Sequence, residues 1–219
     1  LKLKSMLRDV QNQLAVETFP AVKESALRAL GAIAEDKSQL TSALNETDVN
    51  SLRGALIGLL KCGNEPSAEQ KLTTLFLSSS IADRNLAIEV MGSVNRRDYY
   101  SQLISACDSP QTSRAAGLAL IAIGAEALPE IESAFGEKDA PRQRLLTLAR
   151  VLGHIGGVRS QNILFSRISE SDSEVRSKIL NALSHSGYRT KDFAMIQGVV
   201  KTEVEQAAWI STTQVDIRD

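Results

Sequence analysis

The chain has 219 residues, 43% of them hydrophobic, and a formal net charge of −1 at pH 7. That hydrophobic share excludes a disordered polar chain, and the near-neutral balance gives no global pull toward nucleic acid or acidic membrane. Aromatic residues make up only 4%, so a core must be built from Leu, Ile, Val and Ala.

In chain order, an opening periodic segment covers Leu3–Val16. The same apolar phase then begins at Val22, Val49, Asp83, Thr112, Arg144 and Val175, at intervals of 27, 34, 29, 32 and 31 residues. Eight residues into each unit stands a large apolar residue: Leu30, Ile57, Met91, Leu120, Leu152 and Leu183. A small residue follows it in most units, namely Gly31, Gly58, Gly92, Gly153 and Ser184, with Ile121 the exception. Four residues in lie Ala26, Ala87, Ala116, Leu148 and Ile179, broken by Arg53, and eleven in lie Ile33, Leu60, Val94, Ile123 and Ile155, broken by Ser186. Offsets of four, eight and eleven share one face of a helix, so each unit carries one amphipathic helix. Glycine costs about 1 kcal/mol in a helix interior. Its recurrence beside the large residue therefore predicts close approach of a neighbouring helix.

Second periodic segments lie between these helices, near Gln39–Leu44, Glu69–Leu77, Tyr99–Ala106, Ala127–Phe135, Gln161–Ile168 and Phe193–Val200. Each unit is thus read as a helix pair, and strand signals are weak. Pro20, Pro66, Pro110, Pro129 and Pro141 all fall at or just before an expected helix start, where the missing N–H costs nothing. Ser171 and Glu174 in "SDSE" form a capping-box pattern, and Asn64, Ser109 and Asp139 are expected caps. "ETD" and "LSSS" read as turns. The expectation is one all-α domain over residues 1–219. Its units are 1–37, 38–63, 64–96, 97–125, 126–157 and 158–188, and residues 189–219 form a degenerate cap with the phase of a seventh unit at Val204.

A two-helix unit with "V-R" opening the second helix and "A-L-G-x-I-G" closing it resembles the HEAT repeat family, in the short bacterial form of phycobilisome-lyase-type repeats. The resemblance rests on "VKESALRALGAIA", "DRNLAIEVMGSV", "RLLTLARVLGHIG" and "VRSKILNALSHSG" and covers Val22 to Gly187. It implies a right-handed α-solenoid of about six or seven helix pairs. It also implies a ladder of ion pairs at the turns. Lys23, Arg84 and Arg176 hold the basic position, and Glu46, Asp48, Asp108 and Asp172 sit near the acidic one, although Asn50, Ser113 and Leu145 interrupt the ladder. The function implied is a non-enzymatic protein-binding scaffold or regulatory module, a cytoplasmic part of a larger bacterial protein. The tail faintly resembles the end of HEAT segments in nucleotide-carrier-like membrane proteins, and the start at Leu1 suggests a piece of a longer or processed chain. Two other classes follow from the family: a subunit of a tetrapyrrole lyase, and a nucleic-acid-binding solenoid, which scarce aromatics and net charge disfavour.

Reactive chemistry has no sequence signature here. The chain has no nucleophile elbow, P-loop, dinucleotide fingerprint or zinc-protease motif, and no catalytic residue, cofactor or metal is expected. Cys62 and Cys107 lie in no C-x-x-C pair and are expected to be free, buried thiols in a reducing compartment. The longest uncharged apolar run, Ala115–Ala125, is far short of the ~20 residues a bilayer requires, and no signal peptide is evident. His154 and His185, the only two histidines, share an offset of ten residues in their units. Neighbouring helices lie ~8–10 Å apart, so the imidazoles are expected to be too far apart to share a zinc ion.

The charge is uneven along the chain. Arg142 to Lys191 holds nine basic and three acidic residues, whereas Glu126 to Asp139 holds five acidic and one basic. Arg150, His154, Lys178 and His185 are the candidate partner-binding surface, suited to an acidic or phosphate-bearing protein. Solvated charge on both faces is the plainer reading. Tyr99, Tyr100, Tyr188 and Trp209 are candidate anchors, with one of the adjacent tyrosines expected in the core and the other partly exposed, and Trp209 expected to close the array.

Overall fold

A computed structural model describes residues 2–63, 65–189, 197–201, 204, 205 and 208. Among them are twelve α-helices and three short 3-10 segments, with no strand. The chain divides into two compact units, Leu1–Ala106 and Cys107–Asp219.

The first unit contains α1 (Lys2–Val16), α2 (Pro20–Ile33), α3 (Ser38–Ala43), α4 (Val49–Lys61), α5 (Pro66–Phe76), α6 (Ile81–Val94) and α7 (Tyr100–Ser105). Its most extensive packing is α2 on α4, and α4 also packs on α6. The second contains α8 (Ser113–Ile123), α9 (Leu128–Gly136), α10 (Arg142–Ile155), α11 (Gly157–Phe165) and α12 (Ser173–His185), with α10 packed on both α8 and α12. The six phase-bearing segments are α2, α4, α6, α8, α10 and α12, and the opening segment is α1. The described intervening segments are α3, α5, α7, α9 and α11. Of the expected helix at Phe193–Val200, residues 197–200 are described and are helical, whereas Trp209 and most of the cap over 189–219 fall outside the described residues.

The residues eight into each unit are the core. Leu30, Ile57, Met91, Leu120, Leu152 and Leu183 are all buried, each worth roughly 1.5–3 kcal/mol of transfer free energy. Gly31, Gly58 and Gly153 beside them have the expected cause. A Cβ on Gly31 would fall onto the backbone of Gly58, and one on Gly58 would lie 2.8 Å from the Leu27 carbonyl oxygen. On α10, a Cβ on Gly153 would lie 2.9 Å from the Ala182 Cβ of α12. Helix backbones cross at these points, so only hydrogen fits. Arg53, which breaks the offset-four pattern, pairs with Glu24 of α2 at 3.2 Å and Glu89 of α6 at 3.0 Å. It joins three helices at a position where the other units carry an apolar side chain.

Helix ends follow local chemistry. Pro20 and Pro66 open α2 and α5, Pro129 lies in the first turn of α9, and Pro141 caps α10. Gly124 and Gly156 end α8 and α10 at φ +74° and +67°, where a β-carbon would be strained. Asp48 caps α4 through the Ser51 amide at 2.8 Å, and Ser80 caps α6. The capping box at Ser171 is displaced by one residue. Asp172 is the cap of α12, accepting from the Glu174 and Val175 amides at 2.9 and 3.0 Å, because a carboxylate is the stronger acceptor at a helix N-terminus. Asp139 caps nothing, since Pro141 holds that position, and Thr112 rather than Ser109 precedes α8. Asn64 lies outside the described residues.

Three further expectations change. Cys107 is buried but Cys62 is exposed, because it lies just past the last turn of α4. Tyr99 and Tyr100 are both buried. Their hydroxyls donate to Glu69 at 2.9 Å and Asn95 at 2.8 Å, and these polar partners let both rings go inside. The two rings are therefore not surface anchors.

Candidate functional site

Ion pairs at the turns decide which charges are left over. Lys23 pairs with Glu46 at 2.6 Å as expected. Asp108 is held by Arg144, through Nε at 2.7 Å and Nη2 at 2.8 Å, and Arg144 also reaches Glu137 at 2.6 Å. The cation thus comes one residue before Leu145. Arg176 donates to the Glu170 carbonyl at 2.6 Å and the Ser171 carbonyl at 3.3 Å. Asp172 pairs with Arg142 at 2.8 Å, and Arg142 also bonds Glu174. Hydrogen bonds hold the carboxyls of Asp48 and Asp172 below their ordinary range. Asp48 is lowered first by the Ser51 hydroxyl, and Asp172 first by the Val175 amide and then by Arg142.

Four of the nine cations in the basic stretch are matched by carboxylates. Arg142, Arg144, Arg159 and Arg167 each hold a carboxylate. Arg150 and Lys178 make no ion pair among the described residues. Both face a cleft of about 570 Å³ on α8, α10 and α12, with Arg114 and His154. Glu174 borders it too, but its carboxylate is bonded to Arg142. A continuation of about 290 Å³ between α10 and α12 is lined by Arg150, His154, Lys178 and His185 together. All four sequence-derived candidates share this one wall.

The histidine geometry corrects the spacing estimate. The two ring centroids are 5.4 Å apart and tilted by 46°. The side chains lean toward each other across the gap between α10 and α12, so helix-axis distance overstates their separation. With Zn–N bonds of ~2.0–2.1 Å, this spacing does not prevent one ion from meeting both rings. Among the described residues, however, no group of three or more His, Cys, Asp or Glu is arranged to hold a metal. Two cationic side chains also line the same wall. His154 Nδ1 lies 2.9 Å from the Arg150 carbonyl oxygen. A carbonyl can only accept, so Nδ1 carries the hydrogen and Nε2 is left to take a proton or a ligand.

Sequence reasoning missed part of the cleft: Arg114 and the apolar wall of Leu118, Ile121 and Leu146. Leu118 is 59% exposed. A signal was present. Arg114 and Leu118 lie two and six residues into their unit, Leu146, Arg150 and His154 two, six and ten, and Asn181 and His185 six and ten. Positions separated by four fall on one helix face, and this stripe is the cleft wall.

No helix among the described residues is long and apolar enough to cross a membrane. No family model matches the chain, and no curated protein matches it. Among solved structures it is similar to the crystal structure of an engineered protein at 17% identity, with a TM-score of 0.33 over 82% of this chain and 96% of that one. A likeness at that level bears on neither fold nor function.

Proposed function

We propose that the chain is a non-enzymatic protein-binding module, a HEAT-type right-handed α-solenoid of helix pairs, which captures an acidic segment of a protein partner in the α8/α10/α12 cleft. The observation that carries this reading is the pair Arg150 and Lys178. Among the described residues they make no ion pair and stand beside the apolar wall of Leu118, Ile121 and Leu146, while Arg142 and Arg144 are matched. Unpaired cations next to apolar surface suit a segment that brings both negative charge and a hydrophobic side chain. The module works in a cytoplasmic, reducing setting as part of a larger bacterial protein, and it takes neither a cofactor nor nucleic acid.

Charge reversal tests the reading. Arg150→Glu with Lys178→Glu is expected to weaken binding of labelled acidic peptide pools by at least about tenfold, as loss of charge-assisted contacts predicts. The melting temperature should hold, because neither side chain supports a buried pair. Equal binding by the double variant, or equal binding of basic and acidic pools, refutes the acidic-partner reading.

A further inference from the structure

The wall shared by Arg150, His154, Lys178 and His185 carries a sharper inference, which rests on the protein-binding reading above. We propose that it seats a phosphate monoester dianion, borne on a phosphorylated side chain of the partner. Three observations converge on a dianion. Glu170 pairs with Arg167, and Asp172 and Glu174 with Arg142, so the acids nearest in sequence to Lys178 are engaged elsewhere. The positive charge left on the wall is available to a ligand.

The imidazoles supply the second observation. Histidine is the side chain whose charge ordinarily changes between pH 5 and 8. The two ring centroids are 5.4 Å apart, with Arg150 and Lys178 on the same wall. A dianion can therefore accept from several of these donors at once and offsets twice the charge of a single carboxylate. Arg150 from α10 and Lys178 from α12 line the recess with both rings, and Arg114 from α8 and the Arg142-bound Glu174 from α12 line the larger cleft with His154. From α11, packed on both α10 and α12, no residue lines either part of the cleft.

Shape supplies the third. The 290 Å³ recess is large enough for a phosphate, and it opens through shared Arg150, His154 and Lys178 into the 570 Å³ cleft with its apolar wall. The guanidinium fork matches two phosphate oxygens, Lys178 acts as a point charge, and His154 Nε2 can donate once protonated. A peptide residue next to the phosphoryl group would fill the apolar side. A bilayer headgroup, presented from a flat surface, brings nothing to fill it.

The test uses the full chain, whose two histidines give two Hε1 ring signals in a proton NMR spectrum. Peptide pools centred on phosphoserine or phosphothreonine are titrated beside matched glutamate and serine pools, inorganic phosphate, and phosphatidic acid vesicles. The phosphopeptide pool should bind about tenfold more tightly than the glutamate pool and move both ring signals toward the imidazolium position. Affinity should rise as pH falls from 8 and decline again below ~6, where the ester loses its second charge. His154→Gln with His185→Gln should flatten the rising limb, and Arg150→Lys should weaken binding while the chain stays folded. Equal affinity for the glutamate pool overturns the phosphate assignment and leaves the acidic-partner reading standing. Ring shifts with vesicles but with no peptide overturn the protein occupant. Inorganic phosphate binding as tightly as the phosphopeptide overturns the role of the partner's flanking residues. No response in any arm overturns both readings.

Discussion

Replacing Gly31 by alanine tests the contact on which the first unit depends. The new methyl falls onto the Gly58 backbone, which cannot rotate away, so α2 and α4 must separate. Overpacking of this kind costs ~1–3 kcal/mol, and a backbone collision lies at the upper end. Alanine returns about 1 kcal/mol through helix propensity. The net loss is thus about 2 kcal/mol, or roughly 4–8 °C in Tm at ~2–4 °C per kcal/mol for a chain of this length. Gly136, the last residue of α9, has nothing within 4 Å of an added Cβ, so Gly136→Ala should leave Tm unchanged or raise it slightly. Thermal unfolding followed by far-ultraviolet circular dichroism measures both. A Gly31→Ala protein as stable as the parent, or a drop of equal size for Gly136→Ala, would refute a close α2/α4 crossing at this residue.

Asp172→Ala should lower stability by about 1 kcal/mol through loss of the α12 cap. Because folding lowers the Asp172 pKa, its contribution is fully present above the ordinary value of 3.8 and fades as pH falls through that value to the lower folded one. Parent and variant should therefore converge in urea unfolding at strongly acidic pH. Arg144→Gln removes a bidentate pair to Asp108 and the contact with Glu137, and should cost ~1.5–3 kcal/mol, with Arg144→Lys only a partial rescue. Burial pushes the Cys107 thiol up to about 12, whereas Cys62 is exposed. A thiol reagent at pH 8 should modify one cysteine in the native chain and the second only after denaturant is added, and two fast thiols would contradict the burial of Cys107.

Much of the fold was legible because helical periodicity is local. An apolar residue every three or four positions names the buried face without reference to any partner, so Leu30, Ile57, Met91, Leu120, Leu152 and Leu183 could be placed inside from order alone. The glycine beside them announced a close approach, but only the packed helices show that Gly31 meets Gly58 and Gly153 meets Ala182. The candidate cleft divided in the same way. Repeat phase put Arg150, His154 and His185 on corresponding positions of α10 and α12. Side-chain direction then decided that the two rings meet at 5.4 Å, which helix-axis spacing had denied. Which cations remain without carboxylates is likewise a tertiary fact. Arg144 reaches Asp108 thirty-six residues away, and Arg142 reaches Asp172 thirty away. Charge counted along the chain cannot register pairs that form only when distant turns come side by side.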